Sequence, residues 1–284
     1  MGKAENFSSI SWRTMAPFGI EVELDLAAPL DEAGQQQLRD LLFQHNLVLL
    51  RGQKISIERQ IEVMDWFAPV LRAPEGVNVL SNIRERGIMG TKPLAFHSDQ
   101  AFSPYPCTFM SLCAIDVAGG ETSTRFASGV LAYQRLPDVL KRELFAVEAR
   151  MVFPLSYMEN PLEGEVEPWR PHYNHPAVKL NPITKQPLLY VNELQTAGLD
   201  GVSPERSTEL MKELFKYLYD PDCILEHRWH NGDMVIWDNI ALQHARSVLS
   251  SDKPRTIQRV LCAEKRLMEL FPDIPAEVIR RSVD

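Results

Sequence analysis

The chain is short of cysteine, of long apolar runs, of basic clusters and of glycine, and each shortage removes a class of function. Its four cysteines, Cys107, Cys113, Cys223 and Cys262, lie far apart without a CxxC pair. That spacing indicates neither a zinc knuckle nor a disulfide framework, and the thiols read as reduced groups of a cytoplasmic protein. No run of about 18 apolar residues occurs and the first residues hold no apolar signal core, so neither membrane spanning nor secretion is indicated. Lysine and arginine form no run, and the formal net charge is −8 with a pI near 5.5. Neither nucleic acid nor a membrane surface is therefore expected as a partner, which leaves a small molecule. With 14 glycines in 284 residues, no repeat and no Gly/Ser linker, the simplest partition is a single domain over residues 1–284.

What is present is a large apolar fraction, 45% of residues, arranged as a few helices among many short strands. Leu38, Leu41, Leu42 and His45 fall at helical spacing and lead into the apolar run Leu47-Val48-Leu49-Leu50, closed by Arg51-Gly52. Ser56 is placed to cap a helix carrying Ile57, Ile61 and Met64. Ser203, followed by Pro204 at the first helical position, is placed to cap another carrying Leu210, Leu214 and Leu218. The segment from Arg72 to Pro93 reads as loop, with a lid-like region expected around 72–96.

Chemistry enters at Phe96-His97-Ser98-Asp99-Gln100. In an extended segment residues 97 and 99 project from one face, so an imidazole and a carboxylate can converge on one ion. The pair is common by itself and needs a third ligand. Asn231-Gly232 between two strand-like runs predicts a tight hairpin, because both residues tolerate positive φ, and this places His244 just beyond a registered strand. Taken alone, His244 reads more readily as a histidine satisfied by a backbone carbonyl. Taken together, two histidines and one carboxylate make the ligand set of a non-haem Fe(II) oxygenase, which leaves the opposite coordination positions open.

The last strand-like run, Arg255 to Cys262, alternates with period two. Arg255, Ile257, Arg259 and Leu261 share one face; Thr256, Gln258, Val260 and Cys262 share the other. If Ile257 and Leu261 point inward, two guanidiniums enter an apolar interior, which is costly unless each meets an anion. Arginines four positions apart on a strand are about 13 Å apart, far enough to grip two ligands. The alternative places both arginines in solvent, with Val260 and Cys262 inside.

The order of these pieces resembles the Fe(II)/2-oxoglutarate dioxygenases of the taurine dioxygenase and 2,4-dichlorophenoxyacetate dioxygenase family. The likeness starts at Gly19-Ile20-Glu21-Val22-Glu23-Leu24-Asp25-Leu26 and runs through Leu50-Arg51-Gly52-Gln53, His97-Ser98-Asp99 and Gly119-Gly120-Glu121-Thr122. It continues through Leu189-Tyr190-Val191-Asn192 and Trp237-Asp238-Asn239 to His244 and both arginines. It implies a mainly β protein with flanking α-helices and a double-stranded β-helix core, the cupin-like jelly roll. It also implies that His97, Asp99 and His244 bind Fe(II). Thr122 would pair with Arg255, eleven residues after His244, to hold the far carboxylate of 2-oxoglutarate. Arg259, fifteen residues after His244, would contact a carboxylate or sulfonate of the substrate. Trp237 stands where relatives carry a residue near the iron, and it reads equally as packing.

The implied reaction uses O2 and 2-oxoglutarate, releases succinate and CO2, and hydroxylates a C–H bond of a small anionic substrate. Desaturation or cyclisation would use the same ligands. From another class, a non-catalytic metal-binding jelly-roll protein would account for the ligand set but not for a Thr122–Arg255 partnership. A zinc hydrolase is disfavoured because no HExxH motif occurs. Two departures stand out. Phe67-Ala68-Pro69 replaces the usual Phe-Gly-Pro, and the stretch containing Asn78, Asn82, Lys92 and Pro93 does not reproduce the contacts of taurine or phenoxyacetate relatives. The substrate's identity and any homo-oligomer are left open. His172 and His175, bracketed by Pro171 and Pro176, read as structural, and Glu163 to Glu167 as a solvated acidic loop.

Overall fold

The computed structural model describes residues 9–72, 76–82, 88–89, 93–154, 166–246 and 253–275. Strands β1 (Ser11–Thr14) and β2 (Ile20–Glu23) form an antiparallel ribbon ahead of helix α1 (Glu32–His45). Asp31 caps α1 by accepting from the Gly34 amide at 2.8 Å, and Asn46 ends it in the left-handed region at φ 62°. Leu38, Leu41 and Leu42 line its buried side, as their spacing predicts. Strand β3 (Leu47–Leu50) follows, buried along its whole length, and then α2 (Ile57–Asp65), capped by Ser56. The next strands are β4 (Val77–Ser81), β5 (Ile88–Met89) and β6 (Leu94–His97). The expected lid around 72–96 thus includes strand, and its residues 73–75, 83–87 and 90–92 lie outside the described residues.

Beyond a turn come β7 (Phe109–Val117), β8 (Ser123–Ser128) and the short helices α3 (Gly129–Arg135) and α4 (Asp138–Glu143). Five strands then form two small sheets at the periphery: β9 (Glu148–Val152), β10 (His172–Pro176), β11 (Val178–Leu180), β12 (Pro187–Leu189) and β13 (Thr196–Asp200). Helix α5 (Pro204–Leu218) starts at Ser203, whose hydroxyl accepts from the Arg206 amide, and it buries Leu210, Leu214 and Leu218. The chain closes with β14 (Ile224–Arg228), β15 (Met234–Asp238), β16 (Leu242–Arg246), β17 (Arg255–Cys262) and the single turn α6 (Leu267–Leu270).

Two sheets make the core. One has eight strands in the order β1-β2-β3-β15-β7-β17-β4-β5, and the other has four in the order β14-β8-β16-β6. They face each other through interlocked rings, with Phe126 of β8 meeting Trp237 of β15 edge to face at 5.2 Å between centroids. This is the mainly β jelly roll with flanking helices that the resemblance implies. Among the described residues no helix is long and apolar enough to cross a membrane.

The eight-stranded sheet separates two apolar cores. Leu47 and Leu49, Val235 and Trp237, and Ile257 and Leu261 belong to the core between the sheets. Their strand neighbours Val48 and Leu50, Met234 and Ile236, and Val260 and Cys262 belong to a second core beneath α1 and α2. Both faces of β17 are therefore covered, so the choice between them posed by its sequence is a false one. The Asn231-Gly232 expectation is corrected in a different way. Gly232 does adopt φ +83°, and a Cβ there would come within 3.0 Å of Gly52 backbone. However, β14 pairs with β8 while β15 pairs with β3 and β7, so the turn carries the chain from one sheet to the other and forms no hairpin.

Candidate metal centre and cosubstrate site

His97 and His244 stand opposite each other because β6 and β16 pair antiparallel with these two residues in register. Their rings lie 4.1 Å apart between centroids. β6 stops at His97, and the chain turns through Ser98, Asp99 and Gln100, the last at φ 57°. Asp99 therefore lies beyond the strand that its spacing suggested, yet it reaches the same point. Its Oδ1 is 3.2 Å from His97 Nε2 and 3.9 Å from His244 Nε2. One ligating atom from each of the three residues lies within 4.8 Å of the others.

Asn239 holds the turn in place, accepting from the Asp99 amide and donating to the carbonyls of Asp99 and Cys107. Neighbouring Asp238 shapes the chain ahead of β16 by accepting from the amides of Ile240 and Ala241 and from the Asn181 side chain at 2.6 Å. The sequence reading passed over both roles. Trp237 packs edge-on against His244 at 5.1 Å between centroids, which is a packing contact.

The donor set fits a divalent cation. His97 Nδ1 lies 2.9 Å from the Ala95 carbonyl; donation there leaves Nε2 with a lone pair toward the shared point. Burial raises Asp99, but its polar contact with His97 and the Arg259 guanidinium outweigh it, holding the carboxyl below its usual range. Burial lowers His244 well below its ordinary value, and its proximity to His97 adds to the effect. A neutral imidazole and an ionised carboxylate are the forms a metal takes.

Thr122 reaches the interior from a turn in which Gly120, at φ +75°, donates to the Trp229 carbonyl. Arg255 Nε donates to Thr122 Oγ1 at 3.1 Å. Arg255 is 3% exposed, and among the described residues no carboxylate pairs with it. Burial pulls its guanidinium down to about 9, with the like charge of Arg246 adding to the effect. A buried cation that meets a hydroxyl and no acid is half of an ion pair.

Arg259 is placed otherwise. It stands opposite Asn78 in the β17–β4 register, and its Nε donates to Asn78 Oδ1 at 2.8 Å. Its Nη1 donates to Asp99 Oδ2 at 3.3 Å, so it belongs to the group around the two histidines. The two histidines between Pro171 and Pro176 lie elsewhere: His175 Nε2 is 3.0 Å from the Ser103 carbonyl, and His172 Nδ1 is 2.9 Å from the Arg170 carbonyl. Of the acidic loop, residues 163–165 lie outside the described residues.

A jelly roll presenting two imidazoles and a carboxylate to one point defines the class of non-haem metal oxygenases. Residues 12–261 match the family described as taurine catabolism dioxygenase TauD, TfdA family. Pentalenolactone F synthase of Streptomyces avermitilis is 24% identical over 268 residues, covering 84% of this chain and 88% of the relative. The (S)-phenoxypropionate/alpha-ketoglutarate-dioxygenase of Sphingobium herbicidovorans is 26% identical, covering 81% and 86%. Among solved structures, a taurine dioxygenase from Burkholderia xenovorans superimposes with a TM-score of 0.77 at 20% identity, covering 91% and 92%. The chain belongs to the TauD, TfdA family and is an Fe(II)- and 2-oxoglutarate-dependent dioxygenase, with O2 as the second cosubstrate.

Proposed function

We propose that His97, Asp99 and His244 hold the Fe(II), that Thr122 and Arg255 hold the far carboxylate of 2-oxoglutarate, and that Arg259 holds the anionic group of a small organic substrate. The observation that carries this reading is Arg255, buried beside Thr122 with no acid to pair with among the described residues. When bound, iron, 2-oxoglutarate and O2 supply an oxidative decarboxylation to succinate and CO2 that inserts one oxygen atom into a substrate C–H bond. The chain supplies aim and dryness. Arg255 and Thr122 fix one end of the cosubstrate, in a setting where charge-assisted hydrogen bonds are undiluted by water. Arg259, closer to Asp99, positions the substrate's anion on the metal side of the site.

The relative named for phenoxypropionate supports a carboxylate or sulfonate substrate. The continuous family match over residues 12–261 supports one catalytic domain. Four buried free thiols support a cytoplasmic location. A relative from Pseudomonas aeruginosa named tyrosine isonitrile desaturase favours a second outcome on the same ligands, desaturation, with cyclisation as its variant. Two measurements test the reading. Anaerobic addition of Fe(II) and 2-oxoglutarate should give a visible metal-to-ligand charge-transfer band, and its absence would sink the assignment. A succinate-release screen over carboxylates, sulfonates, sulfate esters and N-acyl amino acids, with a His97→Ala control, identifies the substrate class. The product's mass then separates hydroxylation from loss of two hydrogens.

A further inference from the structure

Arg259 already has partners on two sides. Asn78, directly across the sheet, takes its Nε, and this sets the plane of the guanidinium so that Nη1 meets Asp99 Oδ2. The two oxygens of Asp99 are thereby divided: Oδ1 faces both imidazoles, while Oδ2 is held by a charge-assisted hydrogen bond. A carboxylate free to swivel presents either oxygen, both, or neither to an ion. One held by an oriented fork presents a single oxygen in a fixed direction.

We propose that Asn78 and Arg259 form a positioning relay that fixes Asp99 as a one-oxygen metal ligand, so that the guanidinium assigned to the substrate's anion also orders the metal site. This rests on the metal reading given above. The relay lies on three separate segments, a strand at Asn78, a turn at Asp99 and a strand at Arg259, which meet only in the folded chain. It also links the two binding events. An anion that shares the fork alters the grip on Asp99, and by reciprocity the metal alters the affinity for the anion.

The sign of one measurement decides the matter. A cation near a metal site repels a divalent ion, so if Arg259 only gripped substrate, removing it would tighten metal binding. If it positions Asp99, removing it loosens metal binding. The probe is Mn(II), a redox-quiet stand-in, titrated into the full chain without substrate and followed by the EPR signal of the free ion. Arg259→Leu is expected to weaken Mn(II) binding by about tenfold to a hundredfold, the range typical of lost outer partners. Asn78→Ala keeps the cation and removes the acceptor that aims it, and a roughly tenfold weakening is expected. Asn78→Asp restores the acceptor and should hold Mn(II) at least as tightly as the unaltered chain.

Unchanged or tighter binding by Arg259→Leu and Asn78→Ala overturns the relay, as does an Asn78→Asp variant that loses as much as Asn78→Ala. His172→Ala, on a strand outside the site, should bind Mn(II) as the unaltered chain does; a loss there matching that of Arg259→Leu also overturns it. If the unaltered chain binds no Mn(II), the metal reading falls and the relay falls with it. Binding by the unaltered chain with indifferent variants removes the relay alone.

Discussion

Arg255 and Arg259 project from one face of one strand, yet the fold treats them as opposites. Arg255 is 3% exposed and meets a neutral hydroxyl, with no acid among the described residues, whereas Arg259, with a side chain 16% exposed, already holds an amide oxygen and a carboxylate. On the proposed reading, a cation left without an acid in a buried place suits the cosubstrate, whose carboxylate would complete the pair. A cation satisfied by protein groups at the edge of solvent is suited to a ligand that comes and goes, and to ordering its neighbours meanwhile. Spacing along the strand did not distinguish the two, because what differs is the partner opposite each.

The comparison can be broken most severely at the buried end. Arg255→Ala should weaken 2-oxoglutarate on the order of 100-fold, since truncation leaves the cosubstrate's carboxylate buried and unpaired, while Mn(II) binding stays as it was. Isothermal titration of Mn(II) into the chain, then of 2-oxoglutarate into the Mn(II)-loaded chain, measures both, and an unaltered 2-oxoglutarate affinity would refute the assignment. A smaller effect is expected from Arg255→Lys, which keeps the charge but loses the fork: about tenfold weaker 2-oxoglutarate in the same titration. Wild-type affinity in that variant would mean that charge alone matters there.

Thr122→Val removes the hydroxyl from the pair without removing the cation. Roughly fivefold weaker 2-oxoglutarate is expected, as for the net loss of one ordinary hydrogen bond, about 1 kcal/mol, in a site that stays otherwise intact. A loss equal to that of Arg255→Ala would show that the hydroxyl organises the whole pocket. The mildest probe is salt. Raising NaCl from about 50 mM to about 500 mM should leave 2-oxoglutarate affinity within roughly twofold while weakening the anionic substrate several-fold, because exposed charges are screened and buried ones far less so. Equal sensitivity of the two ligands would erase the distinction between the arginines.

How much of this was legible in the sequence follows from how far apart the interacting residues are. The caps at Ser56 and Ser203 and the buried stripes of α1 and α5 were readable, because each depends on residues within one or two turns. The jelly roll itself came through the resemblance, and so did the pairing of Thr122 with Arg255 across 133 positions. Asn231-Gly232 had the right turn chemistry and the wrong consequence, since which sheet receives each strand is decided by distant partners. Asn78 meets Arg259 across 181 positions and Asn239 meets Asp99 across 140, so nothing local announces either. The one available signal for Asn239 was its place in the Trp237-Asp238-Asn239 motif, just ahead of a candidate ligand.

The alternation of β17 between two covered cores has a consequence for how such a chain can change. Val260 and Cys262 lock the strand beneath the helices, while Arg255 and Arg259 on its other face reach Thr122 and Asp99. Single substitutions on either side are independent edits, one to adhesion and one to recognition. Deleting one residue in the middle of the strand would not weaken either job by degrees. It would exchange them, sending a guanidinium into the helix-covered core and an apolar side chain into the site. This strand can therefore drift by replacement while remaining closed to change in length, which makes its eight residues a fixed frame.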